Sequence, residues 1–214
     1  MQFTDLPGIV GDAPLFETGL LLAGDVNPAD VRRRLSRWTA NGRLYQLRRG
    51  RYTLAPPYHK VKPHPFAVEN ALVRGSYVSL QAALAHYGLI PDIAQRTTSV
   101  TTGRPGQWST PLGIDTFRHN KRAWFHGYQR LALGGGQTAF VATPEKALLD
   151  LVYLQPGGDD PAYLAELRLQ ATEHPDLAAL ARLAEASGSP RLRRAGALFP
   201  PAFHGGTPYL SDPH

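Results

Sequence analysis

The chain has 214 residues, 43% of them hydrophobic and 19% charged, a globular composition long enough for one large or two small domains. It has no Cys, which excludes disulfides and thiolate zinc sites, and no apolar run near the 18 or so residues of a membrane span. The first residues lack the basic and apolar regions of a signal peptide, so a cytoplasmic protein without a membrane partner is expected, and a net charge of +6 suits a polyanion.

A short helix near Pro7–Val10 and another over the apolar residues Leu15, Phe16, Leu20, Leu21 and Leu22 are expected first, with a turn at Ala23–Val26. Gly19 weakens the second of these. Asn27 is then a good N-cap and Pro28 a good first helical residue. Val31, Leu35 and Trp38 follow at i, i+4 and i+7, the apolar stripe of a helix that Asn41-Gly42 ends. Arg33, Ser36, Arg37 and Ala40 lie opposite that stripe, flanked by Arg32 on one side and Asn41 on the other. Two β-like runs, Arg43–Leu47 and Arg51–Leu54, are joined by Arg48-Arg49-Gly50, where glycine accepts a positive φ. A helix with an arginine face and an arginine-tipped hairpin reads as a winged helix-turn-helix over residues 1–60. Its helix is sized for a DNA major groove and its wing for phosphate or minor groove. The expected contacts to double-stranded DNA are Arg32, Arg33, Ser36, Arg37, Asn41, Arg43, Arg48, Arg49 and Arg51.

Charge distribution sharpens that reading. Residues 1–30 hold five acids and no Lys or Arg, whereas residues 31–68 hold eight Arg, two Lys and no acid. Ordinary soluble surfaces mix both signs, and a one-signed block repels itself unless a polyanion meets it.

Ala55-Pro56-Pro57 and Pro63-His64-Pro65 bracket a stretch that reads as a stiff, basic, extended linker and a domain boundary. Residues 61–198 are expected to be a mixed α+β domain ending in helices. Phe66–Val73 and Leu80–Tyr87 are helical in pattern, the latter with Ser79 as N-cap and Gly88 as its stop. Thr97–Thr102, Ile114–Arg118, Ala123–Gln129 and Gln137–Val141 read as strands, and Glu145–Leu154 as an apolar helix opened by Thr143 and Pro144. Helices at Pro161–Gln170, Asp176–Ala186 and Pro190–Leu198 follow, with an extended tail over 199–214. The fold class is therefore α+β.

Three segments stand out together, RRRLSRWTANGRLYQLRRGRYTLA (32–55), YVSLQAALAHYGLIP (77–91) and FVATPEKALLDLVYL (140–154). In this order they resemble the AbiEi family of antitoxins from type IV toxin–antitoxin and abortive-infection systems. Gly42, Leu44, Leu47, Gly50 and Tyr52 fill the places of the family's "G-leu-x-x-leu-x-x-Gly-x-Tyr" pattern, and the similarity spans roughly residues 15–155. The resemblance implies a repressor that binds inverted repeats upstream of its own operon. It also implies an antitoxin acting against a nucleotidyltransferase-like toxin encoded next door, without a need for stable contact between the two.

Chemistry finds little footing. His59 and His64 lack companion ligands, so no metal or cofactor is expected. Gly134-Gly135-Gly136 and Gly103–Gly106 read as turns rather than phosphate loops. Ser79, Ser109 and His86 form no nucleophile elbow. Glu145, Lys146 and Asp150 read as helix capping and surface charge. Trp38, Trp108 and Trp124 read as core, while Tyr45 in the wing is a candidate base-stacking residue. The protein is accordingly not expected to be an enzyme. The alternatives are a DNA-targeted nuclease with an undetected active site, betrayed by converging carboxylates, and a structured-RNA binder. RNA ranks below DNA because the deep, narrow A-form major groove admits a helix poorly.

Overall fold

The computed structural model describes residues 1–91, 97–170 and 175–204. Over these the chain is α+β, with eight α-helices and two sheets. None of the helices is long and apolar enough to cross a membrane.

A 3-10 turn at Phe3–Asp5 runs into helix α1 (Leu6–Val10), as the sequence predicts for Pro7–Val10. The helix expected around Leu15–Leu22 is instead strand β1 (Phe16–Glu17) followed by a 3-10 turn, Thr18–Leu22. Phe16 stacks on Tyr52 at 5.8 Å, and that cross-strand contact outweighs the weak local preference of a segment containing Gly19. Helix α2 (Pro28–Ala40) begins where Asn27 accepts a hydrogen bond from the Ala29 N–H at 2.8 Å. Strands β2 (Leu44–Arg48) and β3 (Arg51–Leu54) close the hairpin, and β1 joins it in the order β1-β3-β2. Phe3, Leu6, Leu21, Val31, Leu35, Trp38, Leu44 and Leu54 form the core of this N-terminal unit.

The C-terminal unit is built on a six-stranded mixed sheet in the order β6-β7-β5-β4-β9-β8. Its elements are helix α3 (Pro65–Leu72), β4 (Ser76–Val78), α4 (Leu80–His86), β5 (Thr97–Thr101), β6 (Gly106–Thr110), β7 (Gly113–His119), β8 (Tyr128–Ala132), β9 (Thr138–Ala142) and α5 (Pro144–Leu154). The segments 77–91 and 140–154, separate in sequence, meet here. Val78 pairs with Val141 across the parallel β4–β9 ladder, and α4 packs on α5. Edge strand β6 is absent from the sequence reading because its lone apolar residue, Trp108, gives no alternation. The strand expected over Ala123–Gln129 is a 3-10 turn at Arg122–Trp124, with β8 starting at Tyr128. Trp124 is drawn inward to donate its indole N–H to Asp150 at 3.1 Å.

Helix α6 (Pro161–Glu166) packs on α8 (Pro190–His204), and α7 (Leu177–Ala186) and α8 both pack on α5. Helix α8 runs beyond the predicted end at Leu198, into the stretch read as an extended tail. Leu192, Ala195 and Phe199 form its buried stripe, and Phe199 is wholly enclosed, which carries the helix through that point. The remainder of the predicted tail, 205–214, lies outside the described residues.

The stretch between the units is pinned rather than extended. Tyr58 packs edge-on against Phe3 at 4.9 Å. Gln137 clamps the other end, accepting the His64 N–H at 2.8 Å and donating to the Lys62 carbonyl at 3.1 Å. A third apolar cluster, containing Leu47, Val68, Leu72, Phe117, Tyr45 and Trp108, joins the two units. The strand period of two explains this. Leu44 faces the N-terminal core while Tyr45 and Leu47, on the other face of β2, meet α3 and β7. Both faces of the hairpin are thus covered, and Arg49 at its turn is exposed.

Candidate nucleic-acid interface

Helix α2 buries Val31, Leu35 and Trp38, with Trp38 meeting Phe3 edge-on at 5.6 Å. Because that stripe is fixed inward, Arg32, Arg33, Ser36, Arg37 and Asn41 are exposed on the outer side. Arg33 is ion-paired with Asp30 one turn earlier, and the Arg33 guanidinium lowers the Asp30 pKa. Arg34 donates to the Met1 carbonyl. Met1, Gln2, Asp30, Arg33, Arg34 and Arg37 border a polar depression of about 550 Å³ on this side of the helix.

The hairpin arginines divide by environment. Arg43 lies over the Phe3 ring at 5.0 Å, and Arg48 donates to the Leu72 carbonyl and lies 5.7 Å from the Trp108 ring. Arg51 is 18% exposed and pairs with Glu17 at 3.3 Å. Burial lowers its pKa, partly offset by Glu17. Arg49, at the turn, is exposed. Of the nine predicted contacts, Arg32, Ser36, Arg37, Asn41 and Arg49 therefore have side chains with no partner among the described residues, while Arg33, Arg43, Arg48 and Arg51 are engaged within the chain. Tyr45 is half-buried in the cluster between the units and is not placed to stack on a base.

Three of the five acids in the first thirty residues meet the basic block, Asp30 at Arg33, Glu17 at Arg51 and Asp12 at Lys60. The Asp30–Arg33 and Asp12–Lys60 pairs are exposed and screened by solvent, so they hold the fold only weakly. Sequence reasoning missed Arg74, which follows α3 and is brought beside the hairpin by the packing of the two units. Its guanidinium reaches Glu17 at 2.7 Å. Only the fold makes that neighbourhood.

Of the residues considered for catalysis, Ser79, Glu145, Lys146 and Asp150 lie elsewhere and are buried, whereas His86 and Ser109 are exposed. Lys146 and Asp150 are wholly enclosed, so the surface-charge reading of this pair is corrected. Lys146 Nζ reaches Asp150 Oδ1 at 2.6 Å and the Trp124 carbonyl at 3.0 Å, and sits 3.9 Å from the Trp124 ring. Asp150 also accepts from the Tyr77 and Ser79 hydroxyls, each at 2.9 Å. Burial lowers the Lys146 pKa, and the Asp150 carboxylate works against that shift. Burial also raises the Tyr77 pKa, reinforced by Asp150. Ser79, spent on Asp150, makes no side-chain cap, and the next residue, Leu80, takes a positive φ of 54° as the chain turns from β4 into α4. Glu145 does cap a helix, but a different one from its own. Its carboxylate accepts the N–H of Asp176, the N-cap of α7, at 2.9 Å.

A buried acidic pair, Glu69 on α3 and Asp115 on β7, was not anticipated. Burial, reinforced by the neighbouring Asp115, raises the Glu69 pKa to about 9 against the countering effect of Ser99. Burial raises the Asp115 pKa to about 6. Among the described residues no three His, Cys, Asp or Glu are grouped so as to hold a metal ion. Compared with models of known protein families and with curated proteins, the chain matches none.

Proposed function

We propose that this protein binds duplex DNA through residues 1–60, a winged helix-turn-helix in which α2 enters the major groove and the β2–β3 hairpin is the wing. The observation that carries the proposal is the division of α2. Val31, Leu35 and Trp38 are buried, and Arg32, Ser36 and Arg37, without a side-chain partner among the described residues, stand on the outer side. The helix expected ahead of α2 in that motif is replaced by β1 and the Thr18–Leu22 3-10 turn, and β1 joins the hairpin next to β3. By the resemblance of segments 32–55, 77–91 and 140–154, the protein would be an AbiEi-type antitoxin. It would repress its own toxin–antitoxin operon, and its C-terminal unit would counteract a nucleotidyltransferase-like toxin. The second and third segments are in contact through β4, β9, α4 and α5, so they form one structural unit on which that activity could reside.

The test is a binding titration on duplex DNA and duplex RNA of equal length over a range of salt. With four or five cations at the phosphates, log K should fall against log[salt] with a slope of roughly −3.5 to −4.5. Tighter binding to RNA than to DNA, or a slope shallower than about −2, would overturn the assignment of α2. Neither buried charged cluster favours the nuclease alternative. The pair Glu69 and Asp115 converges, but both side chains are enclosed, and Asp150 is saturated by its donors.

A further inference from the structure

Two arginines from distant parts of the chain converge on one carboxylate oxygen beside the hairpin turn. Glu17 Oε1 lies 3.3 Å from the Arg51 guanidinium in an ion pair and accepts a hydrogen bond from Arg74 at 2.7 Å. Glu17 is fixed there by the β1–β3 ladder, where it pairs with Arg51, and by the Thr18 N–H, which donates to the Gly50 carbonyl at 2.9 Å. The hairpin turn, the Thr18–Gly19 backbone and Arg74 enclose an open polar notch of about 360 Å³, with Arg49 on its rim. Arg49, Arg51 and Arg74 face a single acid, so the notch keeps an excess of positive charge.

We infer that this notch takes a backbone phosphate of duplex DNA, with Arg74 of the C-terminal unit completing a cationic set begun by Arg49 and Arg51. A phosphate oxygen is the same kind of acceptor as the Glu17 oxygen, and guanidinium forks suit both. Glu17 holds Arg51 and Arg74 in the geometry that an incoming phosphate needs. Its charge also opposes the phosphate's approach, so it sets the affinity of the notch. The inference rests on the DNA-binding reading above and adds a contact from outside residues 1–60. Because Arg74 is 75% exposed on its side chain, its removal leaves the core intact.

The experiment compares the full chain with Arg74→Ala, Glu17→Gln, Arg37→Ala and Arg104→Ala in duplex titrations at three salt concentrations. Arg104, exposed in the turn before β6, controls for bulk charge. Arg74→Ala is expected to weaken binding about fivefold and flatten the salt slope by about 0.9, the signature of one lost phosphate contact. Glu17→Gln should tighten binding, and Arg104→Ala should change nothing. If Arg37→Ala weakens binding while Arg74→Ala changes neither affinity nor slope, the notch is overturned and the DNA reading stands. Equal losses in Arg74→Ala and Arg104→Ala would also overturn it, by showing bulk charge alone. If the unaltered chain binds no duplex, the functional reading itself falls. Inorganic phosphate at constant ionic strength is the second ligand. Its tight, Arg74-dependent binding would assign the notch to a free anion instead of a DNA strand.

Discussion

The two units of this molecule treat charge in opposite ways. In the N-terminal unit, Arg32, Arg37 and Arg49 stand in solvent with no partner among the described residues, and Asp30 and Asp12 make exposed pairs. In the C-terminal unit, Lys146 and Asp150 are sealed in the core, and Asp150 is surrounded by donors. An exposed, unpaired cation costs the fold almost nothing and is available to a ligand. A buried charge is tolerable only when it is paired and hydrogen-bonded, so its role is to fix the packing around it. The contrast teaches that charge in a sequence says little about function until burial is known.

Four experiments would break or sharpen that contrast. The largest effect is expected at Asp150. Asp150→Ala leaves the Lys146 ammonium buried without its counter-ion, which should cost about 3–5 kcal/mol in urea unfolding. Lys146→Met combined with Asp150→Leu should recover much of that loss. A double variant no more stable than Asp150→Ala would show that the hydrogen bonds to Asp150, rather than the ion pair, hold this core.

Next in size is the joint between the units. Leu47→Ala removes a buried side chain from the shared cluster and should cost about 2–4 kcal/mol. The same joint predicts one calorimetric transition for the whole chain. A fragment of residues 1–62 should fold poorly, because it lays bare the face of β2 that carries Tyr45 and Leu47. Two separate transitions, with the first matching a well-folded fragment, would show that the units are independent after all.

The third test uses pH. The unfolded chain releases the Glu69 proton near 4.5, whereas the folded chain keeps it to about 9. Between those values the folded state binds the extra proton, so stability should fall as pH rises. Asp115 adds a smaller fall over about 3.8 to 6. Melting temperatures followed from pH 5 to 9 should decline, and Glu69→Gln should flatten the decline. An unchanged slope in that variant would place the responsible group elsewhere.

The smallest effects on stability, and the most informative for binding, belong to the exposed arginines. Arg37→Ala should leave the melting temperature almost unchanged and cost about 1–3 kcal/mol of discrimination at one or two base pairs. Arg49→Ala should weaken operator and random duplex alike and reduce the salt slope by about one. Titration of both on single-base operator variants decides the matter. If Arg49→Ala alters base preference and Arg37→Ala does not, the hairpin reads the sequence and α2 only holds the backbone.

Much of the local structure was legible in the residues themselves. Asn27-Pro28 and the spacing of Val31, Leu35 and Trp38 determine α2 and which of its faces is outward. Gly50 determines the hairpin turn, with φ of 79°, and Thr143-Pro144 determines the start of α5. These features are local, set by backbone sterics and by side chains within one or two turns. The tertiary structure decided the rest. It made Phe16–Glu17 a strand, because Tyr52 was there to stack upon. It buried the Lys146–Asp150 pair that helical spacing alone left at the surface. It also covered the second face of the hairpin and brought Arg74 to Glu17 across 57 residues. Burial and long-range partnership are properties of the packed chain, and a charged or polar side chain carries no sequence mark of whether it will meet water, a counter-ion or another part of its own protein.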